Sequence, residues 1–518
     1  MRKLIDSFFS DNRIALLLFL FFGCLCGAVF RFEQWFDFQN YHYYNSWAFL
    51  NDRINTDIAP AFVNTFYSPF LDLPFYFLVN KLNHHPVLFS TIMAVPYGLL
   101  LFSAYKISLL FFPSDSVQGR IRLKLAILLF ICSEITFSQI STLTHEHLLS
   151  FVVLTVYYLI LKDIRSSIFH KKTYSFAGFV MGAVAGLKLT YCPYAAACGL
   201  TLILFAKRIK LPFINIVLFT LAGTAGFLAA YGYWGWILWK NYQNPFFPFF
   251  NDFFQSPCWE GPSYRDTRYF DLPWLAVLFF PFLMFFNVKG IIPLISYFTP
   301  TNLIYPIGAI VFCVVLFKHI KNHFKHPDKI KEDDFPLIFL MTLIVFIYFF
   351  WLIFYRVHRY LIPLELLLLI TLIHLYKKQI QTVFLYIVLL FIAALFIFRF
   401  PFLNYIRPYN IPILPDHSIV LPDDSLIILE TYPVALYVPS LARNKTIPAV
   451  LSPLLDQIDV NGGKFSSFKC DLNKRSSLIK EMFQKETPIF FLTLNPSSYE
   501  RISNVSCIKI DDVWLCPQ

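Results

Sequence analysis

The chain has 518 residues, of which 57% are hydrophobic, 19% aromatic and only 14% charged, and its mean hydropathy is +0.58. Soluble domains carry about 25% charged residues, and 62 Phe with 29 Tyr cannot all be buried in one water-soluble core of this size, which excludes a soluble globular protein. The formal net charge of +11 does not point to nucleic acid, because the basic residues sit largely in short segments between apolar runs, with no basic stripe and no nucleic-acid-binding motif.

At the N-terminus, Arg2 and Lys3 precede an apolar run from Ile14, as in a signal peptide. Gly27-Ala28 continues into Val29-Phe30-Arg31, which makes a poor cleavage site, so we expect an uncleaved first span with a cytoplasmic N-terminus. Short loops rich in Lys and Arg stay on the cytoplasmic side. Applied to Arg120/Arg122/Lys124, Lys162 to Lys172, Lys207 to Lys210, Lys318 to Lys331 and Lys377/Lys378, this rule yields one consistent path of about eleven spans. In order they are 13–30, 87–112, 124–142, 147–162, 174–188, 191–206, 212–234, 301–317, 336–354, 361–376 and 382–398. A first outer loop (31–86) and a second (235–300) follow, and everything from Arg399 lies outside. Pro69 to Val79 and Pro273 to Phe286 are short and broken by Pro and Asp, and read as interfacial or re-entrant helices.

Beyond the membrane module 1–398, residues 399–518 read as a small extracytoplasmic α/β domain. Ser425 to Leu429 and Pro488 to Leu494 are strand-like, and Leu478 to Phe483 is one helical face. The expected fold class is thus an all-α polytopic membrane protein with an α/β appendage. Cys24, Cys26, Cys132, Cys192, Cys198 and Cys313 fall in spans as packing residues. Cys258, Cys470, Cys507 and Cys516 fall outside, an even number in an oxidising compartment. Cys507 and Cys516 bracket a strand-like run and can pair with each other or with Cys470.

Residues capable of chemistry collect at span ends. The first outer loop opens Arg31-Phe-Glu33-Gln-Trp-Phe-Asp37-Phe-Gln-Asn40-Tyr-His42-Tyr-Tyr-Asn45, with Glu33, Asp37, Asn40 and His42 interleaved with aromatics. Asp37, Asn40, Tyr41 and Tyr44 share one face of a helix. An interfacial aromatic belt accounts for Trp and Tyr alone, whereas a carboxylate facing an aromatic cleft suits a general base or a metal ligand. Thr144-His145-Glu146-His147 is a second polar knot. Its histidines lie two apart, on opposing helix faces, and no His-Glu-x-x-His motif is present, which argues against a zinc site here. His145 and Glu146 instead fit the lining of a cleft. Lys188 sits at an outer turn, and Arg356 and Arg359 stand at the outer end of a span, against the positive-inside bias, where a phosphate-bearing substrate would explain them. Arg265, Asp266 and Arg268 read as a structural ion pair, and Asn444-Lys-Thr446 and Asn504-Val-Ser506 as chance matches to a glycosylation pattern.

With these residues in place, the chain resembles the GT-C superfamily of polytopic membrane glycosyltransferases, in the bacterial branch related to lipid A aminoarabinose transferases and protein O-mannosyltransferases. The layout of the whole chain carries the resemblance, together with Asp37-Phe-Gln-Asn40-Tyr41-His42-Tyr-Tyr-Asn45 and His358-Arg359-Tyr360-Leu-Ile-Pro363. It implies transfer of a hexosyl or pentosyl group from a polyprenyl-phosphate donor to a glycan, lipid or protein acceptor at the periplasmic face of the bacterial inner membrane. It also implies an acidic residue of the first outer loop as base or as ligand to a divalent metal (Mg or Mn), a place that Asp37 occupies. Many members carry an acidic pair there, whereas this chain has Asp37-Phe38 with Glu33 four residues earlier, so either carboxylate can be the one that acts. The mechanism expected has Asp37 or Glu33 orienting the acceptor hydroxyl. Arg356, Arg359 and Lys188 would stabilise the departing phosphate, with Asn40, His42, His145 and Glu146 lining the sugar pocket. The rival readings are a transporter or flippase of lipid-linked glycans, which would place polar residues near mid-span, and an enzyme like an O-antigen polymerase or ligase, which would place its large loop late in the chain.

Overall fold

The computed structural model of the chain describes residues 11–30, 32, 36–259, 263–264, 276–277, 279–286, 304–311, 314, 335–375, 413–414, 419–430, 433–442, 447–451, 482, 487–494, 507–510 and 513–517. Its helices of eight residues or more are α1 (Asn12–Phe30), α2 (Tyr43–Leu50), α3 (Leu73–Leu82), α4 (Pro86–Met93), α5 (Val95–Phe111), α6 (Val117–Ile131), α7 (Glu146–Ser166), α8 (Lys171–Leu187), α9 (Cys192–Phe205), α10 (Phe213–Tyr242), α11 (Phe335–Phe354) and α12 (Ile362–Leu375).

The chain is a helical membrane protein. Among the described residues, six stretches are long and apolar enough to cross a bilayer: Asn12–Phe30, Pro86–Phe111, Glu146–Ser166, Phe213–Tyr242, Phe335–Phe354 and His358–Leu375. This differs from the eleven expected. In place of the span 124–142, helix α6 ends at Ile131 after 15 residues, and a separate short helix, Glu134–Ser138, follows. Helix α8 has 17 residues, and Leu189–Phe205 is likewise a shorter apolar helix. At 1.5 Å per residue, 17 residues reach only about 25 Å, short of the roughly 30 Å hydrocarbon core. The expected span 382–398 and the domain boundary at Arg399 lie outside the described residues, as do 301–303, 312–313 and 315–317 of the expected span 301–317. Helix α10 runs on to Tyr242, past the expected end at 234. Helix α3 has ten residues and cannot cross, in keeping with its reading as interfacial or re-entrant.

Small residues set the closest helix contacts, because in lipid close van der Waals packing, not hydrophobic exclusion, draws helices together. Gly178, Gly182 and Gly186 recur every four residues along α8 and face α10. A Cβ on Gly182 would lie 1.9 Å from the Gly223 carbonyl oxygen, so the two backbones touch.

The segments expected to lie outside build a second core. Phe38, Tyr44, Val63 and Phe66 of the first outer loop pack in one cluster with Trp234 and Phe247, and with Leu429, Val450 and Leu515 of the C-terminal part. That part carries a five-stranded sheet in the order β2-β1-β3-β5-β4. Its strands are β1 (Leu426–Leu429), β2 (Ala449–Leu451), β3 (Ile489–Thr493), β4 (Ile508–Ile510) and β5 (Val513–Pro517). Both expected strands are present, and β1 pairs in parallel with β2 and β3, while β5 runs antiparallel to β3 and β4. All four residues of β1 are buried, as a central parallel strand requires. A disulfide joins Cys507 to Cys516 across the β4–β5 hairpin, one of the two pairings open from sequence. The expected helical face 478–483 lies almost wholly outside the described residues.

A buried ion pair ties the first outer loop to this sheet. Arg53 and Asp57 form a charge pair at 2.5 Å, with side chains only 1% and 2% exposed. Asp57 Oδ1 accepts from the Ala449 N–H at 2.9 Å, Arg53 donates to the Ile447 carbonyl, and Ile58 bridges in parallel to Val450.

Candidate functional site

Four chain segments end together at one end of the bundle: the exit of α1, the start of α7, the end of α8 and the turn before α12. After α1, the chain forms a π turn, Phe38–His42, directly behind Asp37. Its i→i+5 hydrogen bonding widens the helix and brings residues five apart, such as Asp37 and His42, toward one side; such turns concentrate at functional sites. The expected face of Asp37, Asn40, Tyr41 and Tyr44 is therefore not kept as drawn, and the Tyr44 hydroxyl donates to Asp57 at 2.6 Å instead.

Arg359 stands in a 3₁₀ turn, His358–Leu361, and its Nη2 lies 2.7 Å from Asp37 Oδ2. This is a charge contact without hydrogen-bond alignment, since Asp37 Oδ2 has no hydrogen-bond partner. On its other side, Arg359 Nε is 3.7 Å from Glu146 Oε1. Glu146, the first residue of α7, accepts from Lys188 Nζ at 2.5 Å and from the Tyr191 hydroxyl at 2.7 Å. Lys188 also donates to the Thr144 carbonyl at 2.6 Å. Both cations lie over the Tyr360 ring, Lys188 at 5.4 Å and Arg359 at 5.6 Å from its centroid, in reach of a cation–π attraction.

The Glu146 side chain is sealed from solvent at 0% exposure, whereas Asp37 and Arg359 are each 17% and Lys188 16% exposed, so solvent reaches the network at these three residues and not at Glu146. Burial alone would raise the Asp37 carboxyl, but Arg359 above all, with His42 and Lys188, holds it below the ordinary carboxylate range.

Next to this network, Asp72 is enclosed by two imidazoles. Its Oδ1 lies 2.9 Å from His42 Nδ1 and 2.7 Å from His145 Nε2, and its Oδ2 lies 2.9 Å from the same His42 nitrogen. All three side chains are buried. Burial works to raise the Asp72 carboxyl, but the two histidines outweigh it and hold the group below its ordinary value. Burial likewise pushes the His145 imidazole down, outweighing Asp72. His145 itself is held at φ 59°, a left-handed conformation uncommon for residues other than glycine. His42 Nε2 and Asn40 Oδ1 are buried without a hydrogen-bond partner.

The structure thus brings together Asp37, His42, His145, Glu146, Lys188 and Arg359, with Asn40 on the same turn as His42. Arg356 does not join them; it turns back on its own helix, and its Nε donates to the Leu352 carbonyl at 2.8 Å. His147 diverges from His145, as their spacing required, and lies 2.7 Å from the Thr136 carbonyl. Glu33, Arg265, Asp266 and Arg268 lie outside the described residues.

Asp72, Tyr191 and Tyr360 were not picked out as site residues from the sequence. The signal for Asp72 was a carboxylate inside the apolar stretch Pro69 to Val79, an expensive placement without a partner. Buried Glu365 was also passed over: it lies within α12, accepting from the Ser133 and Tyr305 hydroxyls.

A Mg or Mn ion on Asp37 would call for further oxygen ligands, and the charged partner in contact with Asp37 is Arg359. The described group able to hold an ion is His42, Asp72 and His145, whose ligand atoms all lie within 4.8 Å of one another. Two imidazoles and one carboxylate suit a zinc-like ion better than Mg. Compared with protein-family models and with curated proteins, the chain matches none.

Proposed function

We propose that the protein is a membrane glycosyltransferase of the GT-C type, which moves a sugar from a polyprenyl-phosphate donor to an acceptor at the periplasmic face of a bacterial inner membrane. The observation that carries the reading is the network Asp37–Arg359–Glu146–Lys188. It has two anions and two cations, drawn from distant parts of the chain, and is neutral overall when all four are charged. Its partly exposed members are Asp37, Arg359 and Lys188.

A donor phosphate competes with Asp37 for Arg359, whose planar fork suits phosphate oxygens. As Arg359 and Lys188 turn to the phosphate, Asp37 loses the cation that suppresses its proton affinity. It then accepts the proton of the acceptor hydroxyl while that oxygen bonds to the anomeric carbon. The anomeric carbon–oxygen bond to phosphate breaks, and polyprenyl phosphate departs with the electron pair, held by the two cations. The surrounding aromatics, Tyr41, Tyr67 and Tyr360, offer faces for the sugar.

The test is turnover of a polyprenyl-phosphate sugar by the purified protein. Asp37→Asn is expected to lower acceptor-dependent transfer by about 10²-fold or more. Arg359→Lys keeps the charge but loses the fork, and is expected to raise KM for the donor. Transfer that survives in Asp37→Asn moves the base to Glu33 or Glu146.

Glu365 favours the second reading, a transporter of lipid-linked glycans, because a buried carboxylate within a span commonly marks a translocation path. Movement of lipid-linked sugar across liposomes without any turnover would select that reading.

A further inference from the structure

We infer that His42, Asp72 and His145 form a binding site for one zinc-like divalent transition-metal ion, distinct from the Asp37–Arg359 network and independent of the transferase reading. Three separate elements supply the ligands: the π turn after α1, the residue preceding α3, and the left-handed residue preceding α7. Each offers one donor atom, all within 4.8 Å of one another, and each residue is buried. The set of two histidines and one carboxylate leaves a fourth position open, as in zinc sites that hold water or substrate.

Charge supports the assignment. Asp72 is a buried carboxylate whose side-chain contacts are two imidazoles and no Lys or Arg among the described residues. Hydrogen bonds from neutral imidazoles do not balance the charge of a buried carboxylate, and a divalent ion would. Geometry supports it as well. The nitrogens facing Asp72 Oδ1 lie 2.9 and 2.7 Å away, whereas ligand atoms around a tetrahedral zinc stand roughly 3.4 Å apart for bonds near 2.1 Å. Opening these two separations by about 0.5 and 0.7 Å, within reach of side-chain rotation, seats the ion. Each ring binds through the lone pair of the nitrogen now facing Asp72, so its proton moves to the far nitrogen and none need be lost.

The test uses the full chain, purified in detergent without a histidine tag, loaded with Zn²⁺, dialysed and measured for metal by mass spectrometry. About one equivalent is expected in the wild type. It should fall at least tenfold in Asp72→Asn and in His42→Gln, and persist in His84→Ala/His85→Ala, which removes two exposed histidines beyond the far end of α3. Because the buried variants can fail to fold, X-ray absorption of the zinc-loaded wild type gives a second measurement. It should show two imidazole nitrogens and oxygen, with no sulfur. Failure of the wild type to retain zinc, retention unchanged in folded Asp72→Asn, or a sulfur-containing or all-oxygen shell would each overturn the site. His42 and Asp72 would then be a hydrogen-bonded pair and no more.

Discussion

Asp37 is pinned at rest. Its carboxyl, which burial alone would raise, is held low by Arg359, which favours the ionised form. Because its folded value is depressed, its contribution to stability is fully present above the unfolded value near 3.9 and is lost as pH falls through the lower folded value. The difference in thermal unfolding midpoint between wild type and Asp37→Asn is therefore expected to stay constant from about pH 5 to 8 and to narrow only below about pH 4. A difference that changes between pH 5 and 8 would mean that Arg359 does not control this carboxyl. At this scale the sequence was informative where a charged residue interrupted aromatic or apolar surroundings, as at Asp37, Lys188 and Arg359. Arg356 has the same sequence signal as Arg359, and only its backbone, at φ 52°, turns it away from the network.

Among elements, the α8–α10 pair is the tightest contact, and its cause is legible in the small residues at Gly178, Gly182 and Gly186. Gly182→Ala would place a methyl group against the Gly223 carbonyl, which has no flexible end to move aside. A cost of about 1–3 kcal/mol is expected from such overpacking, read as a lower thermal midpoint in detergent. Gly199→Ala is the control. Its added Cβ would meet only Phe219 Cε1 at 3.5 Å, and the gain of up to about 1 kcal/mol in helix propensity should leave the midpoint unchanged or raised. Since Lys188 caps the end of α8, displacement of that helix should also weaken donor binding. The π turn at Phe38–His42 was not legible, because a one-residue expansion of a helix leaves no mark in periodicity over so short a stretch.

Across the whole molecule, the segment after α1 and the C-terminal sheet share one core. Asp57→Asn leaves the Arg53 guanidinium buried without its ion partner, and removing one member of such a pair costs about 3–5 kcal/mol. Proteolysis of the region 399–518 is expected to accelerate in this variant while the membrane bundle stays protected. Equal protection in wild type and variant would show that the hydrophobic contacts alone hold the sheet in place.

Composition and charge by themselves determined that this is a helical membrane protein, because burial of so many apolar side chains and the expense of charge in lipid act on any arrangement of the chain, and short apolar runs marked two strands of its C-terminal part. They also pointed to most of the site, since polar groups at span ends need partners wherever the spans lie. Tertiary structure alone decided which partners these are: that Arg359 meets Asp37 while Arg356 does not, that Asp72 stands between His42 and His145, and that Arg53 reaches the sheet. Such pairings join residues tens to hundreds of positions apart, and their geometry follows from helix ends and left-handed turns that local periodicity does not encode.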